Sequence, residues 1–142
     1  MRAFLVLVAL AAMLAAPTSA SARTQSSVTV DAWKYGRILF DGRGFALYTF
    51  TRDARGRSTC SGAWAKKWPP YIVSRRPVAG VGAKRSLIGT IRRSDGTLQA
   101  TYAGRPLYYY VSDKKPGQIL CQNVSLFGGL WLVVRADGRP VH

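Results

Sequence analysis

The sequence has few of the residues that enzymes most often use for chemistry. Its 142 residues contain no glutamate, one histidine (His142), two cysteines, and two methionines at positions 1 and 13. A Ser-His-Asp triad would have to use His142, and a pair of catalytic carboxylates would have to be two aspartates. No zinc or copper ligand set is visible, and residues 23–142 lack a methionine for haem. We therefore expect no catalytic constellation, no metal and no cofactor.

Long apolar runs are also missing after the first residues of the chain. Residues 1–22 have the pattern of a secretory signal peptide: Arg2, the apolar run Ala3–Ala16, and the small residues Ala20-Ser21-Ala22. No later stretch approaches the ~18 apolar residues of a transmembrane helix. We expect cleavage after Ala22, a secreted or periplasmic location, and a single domain over residues 23–142. The alternative is an uncleaved N-terminal anchor.

The two cysteines, Cys60 and Cys121, predict a disulfide, because an even number of cysteines in an exported protein favours pairing. The bridge would close a loop of 60 residues, which stabilises a chain by about 4 kcal/mol in the loop-entropy model. The alternative is two separate thiols, one of them bridging to a partner chain.

Short apolar segments separated by turn residues predict a mostly β fold. The turn cluster Asp41–Gly44 predicts a strand pair between Arg37–Phe40 and Phe45–Thr51, and Asp95-Gly96 predicts a second hairpin. Helix is expected only as a short segment near 61–67, because the prolines after Trp68 would end it.

The chain contains an internal repeat. Leu47–Asp53 matches Leu107–Asp113 at an offset of 60, and both read Leu-Tyr-x-aromatic-x-x-Asp. The repeat predicts a two-copy, pseudo-symmetric antiparallel β domain, with copies at about 36–74 and 97–138. A cysteine follows each motif at a similar distance, which strengthens the disulfide prediction. The motif residues are Tyr48, Phe50, Asp53, Tyr108, Tyr110 and Asp113.

The motif itself has a structural and a functional interpretation. Two aromatics at i and i+2 share one face of a strand, and the aspartate after them can accept hydrogen bonds from the next turn. The alternative is an aromatic and carboxylate ligand site. We expect Arg52, Lys114 and Lys115 to keep Asp53 and Asp113 ionised.

These segments resemble a bacterial family of secreted repeats that includes many lipoproteins and has a Tyr-x-(Phe/Trp/Tyr)-x-x-Asp motif. Further similar segments are Cys60–Pro70, Arg93–Tyr108 and Phe127–Trp131. The resemblance implies an envelope or extracellular location and implies no reaction. Members commonly have a second cysteine where Trp64 stands here, so the resemblance implies that Cys121 replaces it as partner of Cys60. Members often also have a lipid-anchor cysteine, which this chain lacks.

Positive charge is the feature that most suggests a partner. The net charge is +15, or +14 without Arg2. The expected function is a non-enzymatic module that binds or organises anionic envelope polymers or lipid head groups, with no nucleic acid partner. One alternative is a generally cationic, soluble surface; another is an envelope enzyme or redox accessory that uses Asp53, Asp113 or the cysteine pair. Six residues within one stretch of 19 are the candidate anion-binding cluster: Arg75, Arg76, Lys84, Arg85, Arg92 and Arg93.

Overall fold

A computed structural model describes residues 25–142, so the predicted signal peptide over residues 1–22 lies outside the described residues. The described chain has ten short strands, one α-helix and one 3₁₀ turn. Their bounds are β1 Ser27–Trp33, β2 Gly36–Asp41, β3 Tyr48–Phe50, α1 Ala63–Lys67, β4 Ile72–Val73, β5 Val78–Ala79, the 3₁₀ turn Arg85–Leu87, β6 Ile88–Arg92, β7 Leu98–Tyr102, β8 Arg105–Pro106, β9 Val124–Leu126 and β10 Gly129–Val133.

The strands form three small sheets, with orders β2-β1-β5, β3-β10-β9 and β4-β7-β6, and β8 pairs with β7. All pairs are antiparallel except the short parallel pair of β1 with β5. The prediction of a mostly β, antiparallel fold with one short helix near 61–67 is confirmed. Within the described residues, no helix has the length and apolar character needed to cross a membrane.

The strand pair predicted across Asp41–Gly44 is present only as a short antiparallel pairing next to the turn. The turn forms, and the carboxylate of Asp41 accepts hydrogen bonds from the backbone N–H groups of Arg43 and Phe45. Around the bridge Phe40–Ala46, the backbone N–H of Asp41 donates to Phe45 at 2.9 Å and that of Leu47 donates to Leu39 at 3.2 Å. However, β2 pairs along its whole length with β1. The partner of β3 is β10, because the aromatic side chains of β3 pack with residues from the second half of the chain.

Two further turns follow the expected rules. β6 and β7 form the hairpin predicted at Asp95-Gly96, where Gly96 has φ +84°. β9 and β10 are joined by Phe127-Gly128, whose φ angles of 54° and 76° are those of a two-residue hairpin turn.

The core has two apolar clusters. One contains the first tyrosine of each motif, Tyr48 and Tyr108, together with Trp68 and Trp131. The other lies under β1, β2 and β7 and includes Leu47 and Leu107 of the repeat. Each copy of the repeat therefore contributes side chains to both clusters.

Candidate functional site

The two repeat copies meet at an approximate two-fold axis between Tyr48 and Tyr108. The backbone N–H of Tyr48 donates to the carbonyl of Tyr108 at 2.8 Å, and the reverse bond measures 2.9 Å. Three residues further on, Thr51 donates to Leu130 and Val111 donates to Lys67 at 3.0 and 2.9 Å. Residues 108–111 and 67–70 thus repeat, in short form, the pairing of β3 with β10.

The motif side chains exchange partners across this axis. The phenol of Tyr48 donates to Oδ2 of Asp113 at 2.6 Å, and the phenol of Tyr108 donates to Oδ2 of Asp53 at 2.6 Å. Each tyrosine therefore binds the aspartate of the other copy. Because the two residues of each bond lie 65 and 55 positions apart, the exchange joins the halves of the chain.

The second oxygen of each aspartate is held by the turn that follows it. Oδ1 of Asp53 accepts from the backbone N–H of Thr59 at 2.7 Å and from its hydroxyl. Oδ1 of Asp113 accepts from the backbone N–H of Leu120 at 2.9 Å. Each carboxylate is therefore fixed both by its own copy and by the other copy, with two bonds from its own copy for Asp53 and one for Asp113.

Burial raises the pKa of Asp113, and the hydrogen bonds from Tyr48 and Leu120 offset this only in part. The pKa of Asp113 therefore moves in the direction opposite to the one expected from the neighbouring Lys114 and Lys115. Both lysines are exposed, whereas Asp113 lies in the protein interior. Burial also raises the pKa of the Tyr48 and Tyr108 phenols, so both retain their protons and act as hydrogen-bond donors.

Four aromatic rings form a continuous stack behind the exchange. Trp68 and Trp131, one from each copy, lie parallel with their ring centres 4.5 Å apart. Phe50 stacks on Trp131 at 4.4 Å, and Tyr110 stacks on Trp68 at 5.5 Å. The second aromatic of each motif thus contacts the tryptophan of the other copy.

The predicted disulfide is not present in the structure, where Cys60 and Cys121 are free, buried thiols. Trp68 contacts both: its indole N–H donates to Sγ of Cys121 at 3.1 Å, and its carbonyl lies 3.9 Å from Sγ of Cys60. Each cysteine is thus packed against a different part of one tryptophan. Burial raises the pKa of both thiols to about 11, which suppresses the reactive thiolate. The equivalent indole N–H of Trp131 is buried and has no hydrogen-bond partner among the described residues.

The six predicted anion-binding residues fall into two groups. Arg75, Arg76, Lys84 and Arg85 are all exposed and flank β5, and the guanidinium of Arg76 donates to the carbonyl of Arg85. We call these four residues the basic edge. Arg92 and Arg93 follow at the far end of β6, about 13 Å along the strand from Ile88 at ~3.3 Å per residue. Arg76 and Arg85 line a groove of about 410 Å³ with Gln25, Pro77, Val78 and Ala79.

Arg93 differs from the other five because its guanidinium is bound inside the fold. It donates to Oγ of Ser58 at 3.0 Å, to Oε1 of Gln99 at 2.7 Å and to the carbonyl of Cys60 at 2.7 Å. Sequence reasoning missed Ser58 and Gln99, since neither carries a charge or a motif. Arg93 therefore also has a structural role that its place in a basic run does not reveal.

A family model described as a secreted repeat of unknown function matches the chain twice, over residues 29–71 and 89–135. The two segments together span more than half of the chain. The chain belongs to this family. No curated protein sequence matches the chain, and no solved structure matches it.

The two segments that match the secreted-repeat family are the two halves of the exchange. The first contains Tyr48, Asp53 and Trp68, and the second contains their partners. The predicted resemblance and the two-copy architecture are confirmed. The basic edge lies between the matched segments, so it is not part of the repeat that defines the family.

The structure brings few metal-ligating side chains together. Within residues 25–142, no group of three or more His, Cys, Asp or Glu side chains is arranged to hold a metal ion. A separate cleft of about 430 Å³ is lined in part by Asp41, Arg43, Pro70, Tyr71 and Tyr109. Asp41 is buried there and accepts from the phenol of Tyr109 at 2.9 Å and from Arg43 at 3.0 Å, so its carboxylate is already satisfied.

Proposed function

We propose that this secreted repeat is a non-catalytic module that binds the anionic head groups of an envelope membrane through the basic edge. The observation that carries the proposal is the combination of four exposed cations with an exposed apolar side chain. Val81 is 82% exposed, and it lies in the loop between Arg76 and Lys84. Cations around an apolar tip suit a lipid surface, where head groups and acyl chains lie close together.

The internal use of carboxylates supports this proposal. The chain has 21 Lys and Arg against six Asp. Three of those aspartates, Asp41, Asp53 and Asp113, are bound by tyrosines inside the fold. Within residues 25–142, ion pairs form only between Arg43 and Asp41 and between Arg139 and Asp137. The surface charge is therefore left largely uncompensated by the protein itself.

The loop that carries Val81 is held in place by β1. The backbone N–H of Val30 donates to the carbonyl of Val81 at 2.8 Å, and Gly80 donates to Val28 at 2.8 Å. Ala83 closes the turn by donating to Gly80 at 3.2 Å. An apolar side chain fixed outward loses little conformational freedom on binding, which favours insertion at an interface.

Co-sedimentation with vesicles tests the proposal. We expect salt-sensitive binding to vesicles containing phosphatidylglycerol and none to neutral phosphatidylcholine vesicles. Changing Arg75, Arg76, Lys84 and Arg85 together to Gln should remove most of the binding. The matched control changes four exposed lysines elsewhere to Gln: Lys34, Lys66, Lys67 and Lys114.

Val81→Ser separates a lipid surface from a soluble polyanion. The variant removes the exposed apolar side chain, so it should weaken binding to vesicles. Because it keeps every charge, it should leave binding to a soluble polyphosphate unchanged. An equal loss of vesicle binding in the control variant and in the basic-edge variant would contradict the proposal that the basic edge is the binding surface. Strong polyphosphate binding with no effect of Val81→Ser on vesicles would instead identify an envelope polymer as the partner.

The alternative, an envelope enzyme or redox accessory, has less support. Asp53 and Asp113 each have both carboxylate oxygens occupied by hydrogen bonds within the protein. Cys60 and Cys121 are buried thiols with raised pKa values. Neither set offers an accessible acid, base or nucleophile to a substrate.

A further inference from the structure

A second cationic feature lies away from the basic edge, where the end of β6 faces the turn before Cys60. A pocket of about 320 Å³ opens between them. Most of its lining is polar and includes three arginines and four hydroxyl side chains. The residues are Gly56, Arg57, Ser58, Thr59, Cys60, Ser61, Ile91, Arg92, Arg93 and Ser94.

Arg93 forms the inner wall of this pocket and has hydrogen-bonding capacity left over. A guanidinium has five N–H donors, and three are used by Ser58, Gln99 and Cys60. The other two, including Nε–H, bond to no residue of the described chain. Since Ser58 in turn contacts the phenol of Tyr108 at 2.6 Å, Arg93 is fixed against the exchange between the copies.

The charge of Arg93 has no carboxylate partner. All three of its acceptors are neutral, and it forms no ion pair within residues 25–142. The neighbouring carboxylates are bound elsewhere: Asp53 by Thr59 and Tyr108, and Asp95 by the backbone N–H and hydroxyl of Thr97. A half-buried cation without a counter-ion favours an anion from solution.

Arg57 and Arg92 complete the pocket at its mouth. The turn that carries Arg57 is fixed by the bond of its backbone N–H to Ala54 at 3.1 Å and of Gly56 to Gly104 at 2.8 Å. Arg92 is anchored by a bond from Nη1 to the carbonyl of Gly96 at 2.7 Å. Both side chains are exposed, so they can close over a ligand that Arg93 holds from below.

We infer that this pocket binds a phosphate group, as free phosphate or as a phosphate ester, between the guanidinium groups of Arg57, Arg92 and Arg93. Three guanidinium forks match the charge and the several oxygens of a phosphate better than the single charge of a carboxylate. The pocket volume lies at the lower end of the range for small-molecule sites. The inference does not depend on the basic edge, which lies at the other end of β6.

Titration followed by amide chemical shifts tests the inference on the full secreted chain. We expect inorganic phosphate and glycerol 3-phosphate to shift the amide signals of Thr59, Ser61 and Ser94 in a saturable way. Sodium chloride at the same ionic strength should not, and acetate should bind more weakly. Comparing phosphate, glycerol 3-phosphate and dimethyl phosphate distinguishes a free anion, a monoester and a diester as ligand.

Two reciprocal variants locate the site. Arg57→Gln with Arg92→Gln should weaken phosphate binding at least about tenfold and leave vesicle binding unchanged. Arg75→Gln with Arg76→Gln removes the same charge from the basic edge, and it should leave phosphate binding unchanged while weakening vesicle binding. Both pairs leave Arg93 and its structural bonds intact, so folding is preserved.

Equal weakening of phosphate binding by the two pairs would show general charge attraction and overturn the site. Shifts that fail to saturate, or that chloride reproduces, would overturn it as well. If the wild-type chain binds phosphate in a saturable way but does not bind anionic vesicles, the proposed membrane function is wrong and the phosphate pocket stands.

Discussion

At the scale of single residues, the two phenol–carboxylate bonds are equivalent in geometry but not in burial. Asp113 is 7% exposed, whereas Asp53 lies nearer the surface and accepts two bonds from Thr59. Tyr48→Phe removes the phenol that donates to Asp113, so the buried carboxylate keeps only the backbone N–H of Leu120 as a donor. We expect Tyr48→Phe to cost about 1.5–3 kcal/mol in urea unfolding, and Tyr108→Phe to cost less.

A double-mutant cycle checks that this cost belongs to the bond. The loss in Tyr48→Phe should be smaller when Asp113 is already Asn, because the charged acceptor is absent. Additive losses would show that Tyr48 stabilises the core through packing alone.

The pH dependence of stability separates Asp113 from the exposed Asp95. Burial raises the native pKa of Asp113, so its contribution to stability is full below the unfolded value near ~3.9 and is lost as the pH rises through the native value. The hydroxyl and backbone N–H of Thr97 lower the native pKa of Asp95, so its contribution is present at neutral pH and is lost on acidification.

The two Asp→Asn variants should therefore respond to acid in opposite ways. Between about pH 7 and about pH 3.5, wild type should gain stability relative to Asp113→Asn and lose stability relative to Asp95→Asn. Urea titrations at several pH values measure both differences. The same trend in both variants would contradict the raised pKa of Asp113.

The cysteines give a second test at this scale. With both thiols buried and both pKa values raised to about 11, we expect little reaction of Ellman's reagent with the native protein. In denaturant without reductant, two thiols per chain should react. Absence of reaction in denaturant would reveal a Cys60–Cys121 bridge, as the exported context predicts.

At the scale of the elements, the four-ring stack links β3 to β10 and α1 to the segment after Leu107. Phe50 is fully buried and Tyr110 only partly buried, although they occupy equivalent positions in the two copies. We expect Phe50→Leu to cost about 1–2 kcal/mol and Tyr110→Leu to cost less, as measured by thermal or urea melts. A larger loss for Tyr110→Leu would show that the outer ring, with its hydroxyl, carries the stack.

Local turn chemistry was predictable from the sequence, and partner choice was not. Asp95-Gly96 specifies its own hairpin because both strands lie next to the turn. The turn at Asp41–Gly44 gives no information on whether β2 prefers β1 or β3, since that depends on packing against distant residues. For the same reason the repeat predicted two equivalent copies but not that Tyr48 would bind Asp113. The sequence positions of Cys60 and Cys121 likewise did not predict that both would contact Trp68.

At the scale of the whole molecule, the motif side chains of each half find their bonding and stacking partners in the other half. Tyr48 finds its acceptor, and Phe50 its stacking tryptophan, only in the second half of the chain. We therefore expect residues 23–82 and 83–142, produced separately, to lack the native near-ultraviolet circular dichroism and to regain it on mixing. The cut lies in the exposed loop after Val81, where breakage is best tolerated.

A matched experiment uses the same fragments with Tyr48→Phe and Tyr108→Phe, which should associate more weakly. A fragment that is cooperatively folded alone would contradict the view that the exchange creates the core.

The exchange across the two-fold axis also limits how the duplicated halves can diverge. Replacing the tyrosine of one copy removes a hydrogen bond from the aspartate of the other copy, so these positions must vary together or not at all. Neighbouring positions that are not part of the tyrosine–aspartate pairs are free of this coupling. Ser58 and Ile119 show the result, since they stand at equivalent places two residues before each cysteine. The serine bonds to Arg93 and helps form a polar pocket, while the isoleucine joins the apolar core. One duplicated framework can thus carry a different surface on each half.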